Sequence, residues 1–289
     1  MAAHSFKTFP TPGAYLKATR SSYIKREVEN SLPFGIALRA DKQEKPDDPE
    51  KSFFALVSRS GRPLLGLSQS PGRNLLLSQF RGKAAVDLED TLDWLEQSGL
   101  RPPGLGGPLP LVEQFAAAWE TKTGGKARLH RRERIFKLTR VIPPHQTPGY
   151  LRPVVEGDLP QLLIWAEDYS REALGKPGGD EMRRWILDRA SRGALFVWVH
   201  GTIVSMCMQT RPTEQGISIS LVYTPPALRR KGYASVMVAA LSLRLLREGW
   251  AYVSLFTDLA NPTSNHIYQT VGFQPVCDWN EYTLERGQA

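Results

Sequence analysis

Ser220-Leu-Val-Tyr-Thr-Pro-Pro-Ala-Leu-Arg229-Arg230-Lys231-Gly232-Tyr233-Ala234 is the stretch that decides how this chain reads. An apolar, β-prone run enters a turn marked by two prolines. Three basic residues and a glycine follow, and then a long helical pattern begins. The first turn of a helix presents unpaired backbone N–H groups with the positive end of the helix dipole behind them, so it attracts anions. Gly232 removes a side chain where an anion must come close to the backbone. Arg229, Arg230 and Lys231 add positive charge. The layout is that of a phosphate site, against the plainer reading of an ordinary basic helix start.

Downstream of that helix comes a second apolar run, Ala251-Tyr-Val-Ser-Leu-Phe-Thr257, and then Asp258-Leu-Ala-Asn261-Pro262-Thr263-Ser264-Asn265-His266-Ile267-Tyr268, closing on Gly272-Phe273.

These two segments resemble the GNAT acyltransferases. The first matches that family's motif A, Arg/Gln-x-x-Gly-x-Gly/Ala, through Arg229, Gly232 and Ala234. The second matches its strand ending in Asn, its Tyr-bearing helix and its Gly-Phe step. The resemblance covers roughly residues 149–289. It implies a mixed α/β (α+β) fold with a central, mostly antiparallel twisted sheet. It further implies acetyl-CoA as cosubstrate, no metal, and an amine acceptor that is a small molecule or a peptide or protein amine. By the same resemblance, Arg230, Lys231, Gly232, Tyr233, Ala234 and Ser235 hold the pyrophosphate, with Arg229 beside them. Leu221, Val222, Tyr223 and Thr224 pair with the pantetheine arm, and Val222 or Tyr223 offers an N–H to the thioester oxygen. This pairing requires a gap between that strand and Ala251–Thr257. Tyr268 protonates the leaving thiolate, which is feasible because a phenol has a pKa of about 10 and a thiol one somewhat lower. Asn261 and Ser264 either bond the pantetheine amide or cap the helix, since Asn261 directly precedes Pro262.

The general base is not assigned. Many members of the family that this chain resembles carry a Glu on the strand before motif A, but Ile217-Ser-Ile-Ser-Leu-Val-Tyr223 has no carboxylate. Glu167, Asp168, Glu214, Asp258 and a water held by Ser220 are the candidates, each of which also reads as a solvated charge or a cap. Cys207 reads as a buried structural thiol. His200 sits in a turn, His266 lies on the last helix, and Trp165, Trp185 and Trp198 suit core or pocket walls alike.

The chain has 289 residues, enough for two domains, with a net charge of +8. Twenty-three basic and fifteen acidic side chains precede residue 149, and fourteen of each follow, so the whole excess lies in the first half. Neither zinc spacing nor an aromatic–basic pattern accompanies it, which argues against nucleic acid. No apolar run approaches the roughly 20 residues of a membrane span. The first ten residues lack the layout of a signal peptide, and two cysteines make no disulfide framework, so the expected location is cytoplasmic.

Ile142-Pro-Pro-His-Gln-Thr-Pro-Gly149 reads as a linker, giving an N-terminal α/β domain over 1–145 and a catalytic domain over 149–289. Asp158 is expected to cap a helix to about Ala173. Helices are also expected over 180–190 and 232–247, a hairpin about His200-Gly201, and more than one strand after Gly272. In the first half, 53–58 and 63–68 read as a hairpin, 74–78 as a strand, and 87–98 and 111–123 as helices. Residues 41–51 and 101–110 read as loops and 126–141 as a basic strand. This half has a similar element order but no Arg-x-x-Gly-x-Ala, and looks like a degenerate GNAT-like domain. The rival readings of the whole are a catalytically silent CoA-binding module and a GNAT-fold transferase with another acyl donor.

Overall fold

The computed structural model describes residues 4–43, 52–81 and 86–286. The chain folds into two compact units. The first comprises Met1–Ile135 with Asp258–Ala260 and Val276–Ala289, and the second Phe136–Thr257 with Asn261–Pro275. The chain thus passes between units at Ile135–Phe136, and the proline-rich 142–149 segment lies inside the second unit.

In the first unit, strand β1 (His4–Thr8) precedes helices α1 (Pro12–Lys25) and α2 (Ser31–Gln43), a region in which no helix or strand is expected from the sequence. Strands β2 (Phe53–Arg59), β3 (Arg62–Gln69) and β4 (Leu75–Gln79) follow as a meander, then α3 (Leu88–Gln97), β5 (Gly104–Pro108), α4 (Leu111–Thr123) and β6 (Lys126–Leu138). The strand order is β1-β2-β3-β4-β5 and then β12 (Gln274–Glu285), the last strand of the chain. Side chains alternate across the sheet. Ala55, Val57, Leu65 and Leu67 pack under α3 and α4, while Phe54 and Leu56 pack under α1 and α2. Residues 44–51 of the expected 41–51 loop lie outside the described residues; Asp41, Lys42 and Gln43 end α2.

The expectation of a loop over 101–110 is corrected by β5. It pairs parallel with β4 and antiparallel with β12, through registers such as Leu75↔Leu105 and Gly107↔Asn280. Its glycines read as turn signals but serve close packing: a Cβ on Gly104 would run into the Tyr282 carbonyl of β12. The strands expected after Gly272 are a single one, β12. The basic segment β6 lies next to β12 in the strand order.

The second unit runs β7 (Tyr150–Pro153), α5 (Leu159–Leu174), α6 (Gly179–Ser191), β8 (Leu195–His200), β9 (Thr202–Thr210), β10 (Gly216–Tyr223), α7 (Tyr233–Arg247), β11 (Tyr252–Asp258) and α8 (Pro262–Val271). The strand order is β11-β10-β9-β8-β7, antiparallel except for β10–β11. Phe196, Cys207 and Val253 face α7 and α8. Leu195, Val197 and Met206 face α5 and α6. The mixed, mostly antiparallel sheet is the expected fold class. Asp158 stands at the N-cap of α5, but its side chain makes no cap hydrogen bond to the helix. Its carboxylate takes both Arg152 Nη atoms at 2.6 and 2.9 Å and the Val155 N–H at 2.9 Å, closing the turn before the helix. The bond from Arg152 holds that carboxyl below its usual range. No helix among the described residues is long and apolar enough to cross a membrane.

Candidate active site

The site begins with a break in β10. Ser220 pairs with Met208 and Tyr223 with Met206, so β10 carries one more residue than β9 across this step. Leu221 takes φ +53°, the left-handed conformation. The extra residue is a β-bulge, and it reverses the facing of everything after it. Ile217 and Ile219 face α7, whereas Leu221 and Tyr223, two and four residues further on, face α5 and α6. On the other side, β10 and β11 pair over Gly216↔Tyr252, Ile217↔Val253 and Ser218↔Ser254, and no further. Beyond Ser218 the two parallel strands are no longer joined, giving the gap that the pantetheine reading requires.

From Tyr223 the chain makes a short turn over Pro226–Leu228 and reaches α7. Arg230 and Gly232 take φ +62° and +82°. Gly232 is the N-cap of α7 and supplies no side-chain cap, and the first turn holds no acidic residue. The helix start is therefore open to an anion, with exposed Arg230 and Lys231 beside it. The first unit differs at α3. There Asp87 accepts the N–H groups of Glu89 and Asp90 at 3.1 Å each, and those two residues add charge to the first turn. That helix start repels phosphate.

The predicted side chains divide. Tyr233 is buried, and its hydroxyl lies 2.8 Å from His200 Nδ1. Ala234 and Ser235 are half-buried in the first turn of α7. Thr224 Oγ1 meets Ser205 Oγ at 2.8 Å, and that Ser205 hydroxyl lies 2.8 Å from the Tyr223 carbonyl oxygen. Arg229 is engaged by the end of β10 and by α5. Its Nε donates to the Thr224 carbonyl at 2.8 Å and its Nη2 to Glu172 at 2.5 Å. Asn261 is the N-cap of α8, its Oδ1 accepting the Ser264 N–H at 3.0 Å, so of its two readings the cap is formed.

Tyr268 lies in the core facing α7, edge-on to Phe273 at 6.0 Å. Burial, then the neighbouring Tyr169 and Cys207, push its phenol well above the ordinary value, so it stays protonated. Cys207 is fully buried, and burial pushes its thiol up, which keeps it from acting as a thiolate. Tyr223 is pushed up to about 12, mainly by burial and then by Glu172 and Asp168.

Two of the base candidates are otherwise engaged. Glu167 Oε2 accepts the N–H groups of Gly178 and Gly179 at 3.0 and 3.2 Å, fixing the start of α6. Asp258 accepts the Ala260 N–H at 2.7 Å and belongs to the first unit. Glu214 is exposed in the loop before β10, and Ser220 is half-buried at the bulge. Asp168 lies on α5 within electrostatic reach of Tyr223. It also borders a depression of about 460 Å³ with Pro160, Leu163, Ile164, Arg171 and Arg183, on α5 and α6. The residue that sequence reasoning missed is Glu172, which belongs to no motif. Among the described residues one triplet, His4, Asp87 and Asp90, brings potential metal ligands close together, and it lies in the first unit.

Comparison with known proteins agrees with the fold. Residues 199–283 match the family model described as FR47-like protein. A search of characterised protein sequences finds no match. Among solved structures, the chain is similar to a GCN5-related N-acetyltransferase from Sphaerobacter thermophilus, with 17% identity, 98% of this chain and 97% of that one covered, and a TM-score of 0.63. It is similar to an acetyltransferase of the GNAT family from Colwellia psychrerythraea, at 12% identity, 98% and 100% coverage and a TM-score of 0.57. A tandem GNAT protein from the clavulanic acid biosynthesis pathway matches at 12% identity over 99% and 100% of the two chains, with a TM-score of 0.56. The chain has the two-domain GNAT fold, with an FR47-like segment in its second half.

Proposed function

We propose that this GNAT-fold chain is an acetyl-CoA-dependent N-acyltransferase whose donor site lies in the second unit and whose acceptor is a primary amine. The observation that carries the reading is the conjunction at the end of β10. A bulge and a parting of two parallel strands lead directly into an uncapped helix start with αL Gly232 at its N-cap. Acetyl-CoA would supply a reactive thioester carbonyl and a thiol leaving group.

The protein's part follows from the residues. Backbone N–H groups from Arg230 to Ser235 hold the pyrophosphate, favoured by the dipole of the fifteen-residue α7. Leu221 to Thr224 align the pantetheine amides at the opened strand edge. Val222 or Tyr223 directs its N–H at the carbonyl oxygen as it gains charge. Tyr268, kept neutral by burial, holds the proton for the departing sulfur. Asn261 and Ser264 set the start of the helix that carries Tyr268. An acceptor amine arriving partly neutral needs no dedicated base.

The test is acetyl-CoA thermal shift together with thiol release in the presence of pooled amines. A ligand that binds only the folded state raises the melting temperature. We expect both a shift and amine-dependent release. A shift without release from any amine supports the silent CoA-binding module instead. Release only with a longer acyl-CoA supports a different donor.

A further inference from the structure

The carboxylate of Glu172, near the end of α5, joins the two segments on which the donor site depends. It accepts Arg229 Nη2 at 2.5 Å on one oxygen and the Tyr223 hydroxyl at 3.2 Å on the other. Arg229 simultaneously donates its Nε to the Thr224 carbonyl at 2.8 Å, and its guanidinium lies 5.6 Å from the centre of the Tyr223 ring. Three contacts thus fix one guanidinium in one orientation. Behind them, Ser205 ties Thr224 Oγ1 to the Tyr223 carbonyl.

The segment from Thr224 to Gly232 needs such a tie. It has left the sheet, contains only a three-residue turn, and includes two residues with left-handed backbone. No strand ladder holds it. The position of the α7 start relative to the bulge is therefore set by side chains.

We propose that Glu172 is a positioning residue that holds the end of β10 and the donor loop in register, and that Arg229 serves this tie rather than the donor's phosphates. The proposal rests on the donor reading given above. The Arg229–Glu172 pair is partly exposed, 42% and 43%, so it contributes little to global stability. Its effect belongs in donor binding. The fork of an arginine reaches two acceptors in fixed directions while its face lies on a ring; a lysine ammonium cannot do this.

The test compares wild type, Glu172→Gln, Arg229→Lys, Arg229→Gln and the double variant Glu172→Gln/Arg229→Gln. Acetyl-CoA thermal shift, KM for acetyl-CoA and kcat are read for each. Absence of any acetyl-CoA shift in wild type overturns the donor reading itself, before the variants are considered. With that shift present, Glu172→Gln and Arg229→Lys should each raise KM for acetyl-CoA about tenfold, the scale of one charge-assisted hydrogen bond, with kcat changed far less. The double variant should be no worse than Arg229→Gln alone, because both remove one interaction. Arg229→Lys retaining wild-type KM, with Glu172→Gln binding donor more tightly, makes Arg229 a phosphate cation and overturns the proposal. Additive losses in the double variant overturn it too. Should Glu172→Gln fail to fold, Glu172→Asp replaces it. Its shorter arm should raise KM, and a wild-type KM there overturns the proposal.

Discussion

The side-chain oxygen of Thr147 stands 2.5 Å from the point where a Cβ on Gly232 would lie. Thr147 reaches this place because it donates to the Lys231 carbonyl at 3.3 Å. Gly232 is thus required twice, by its φ of +82° and by this close approach. Gly232→Ala should destabilise the protein by roughly 1–2 kcal/mol from the left-handed backbone alone. Adding Thr147→Ala should relieve the contact but not the backbone strain, so the melting temperature should recover only in part. Gly232→Asp should abolish the acetyl-CoA shift by placing a carboxylate at the helix start. A shift equal to wild type in that variant moves the donor site elsewhere.

Tyr268→Phe should lower kcat by roughly 10²-fold with little change in acetyl-CoA affinity, the scale of a lost general acid. The ring stays in place against Phe273, so packing is conserved. Because burial raises the phenol's pKa, its proton is retained as pH rises, and kcat should show no alkaline loss from this group below pH about 10. Turnover within about twofold of wild type would reduce Tyr268 to a packing residue.

The features legible in the sequence were local ones. The helix start at Gly232, the hairpin at His200-Gly201 and the helix from Asp87 to about Ser98 each carry their signal within a few residues. The bulge at Leu221 has no such signal, since a leucine with positive φ leaves no mark in an apolar run. Yet the bulge decides which face Tyr223 takes. Ile217 and Ile219 predict by alternation that Tyr223 faces α7, and the structure turns it to α5. That reversal is what brings Tyr223 and Arg229 to Glu172, a partner 51 and 57 residues away. The pairing of β5 with β12 was hidden for the same reason, because Gly104–Pro108 resembles a turn until its partner arrives from the end of the chain.

Alkaline pH should unfold the protein through its buried phenols. Tyr15 and Tyr23 are fully buried and share a 2.8 Å hydroxyl contact, with Tyr23 and Ser78 2.9 Å apart. Burial pushes Tyr23 up to about 12 and Tyr15 well above its ordinary value. A folded pKa above the unfolded one means that this stability is complete below the unfolded value, about 10, and is lost as pH rises through the folded value. The melting temperature should stay level from pH 7 to 9 as far as these groups are concerned, and fall between about 10 and 12. Tyr23→Phe should start lower and fall less steeply. An equally steep fall in that variant would assign the transition to other groups.

On the basic strand β6 part of the positive charge is paired locally. Two of its arginines have carboxylate partners on β12. Arg134 meets Asp278 through Nε at 2.6 Å and Nη2 at 3.0 Å, and Arg128 meets Glu285 at 2.6 Å. The bond to Asp278 raises the pKa of Arg134. A guanidinium paired with a carboxylate projects little net field beyond the screening length of about 10 Å at 0.1 M salt. Arg134→Gln should therefore act on stability, at about 1 kcal/mol or less for a partly exposed pair, or some 2–4 °C in melting temperature. Arg134→Gln with Asp278→Asn should recover part of that loss, because it also removes the carboxylate left behind. The triple variant Arg128→Gln, Arg132→Gln and Arg134→Gln should keep the wild-type slope of kcat/KM against salt. A lower rate with a flatter slope would instead establish steering of an anionic donor or acceptor.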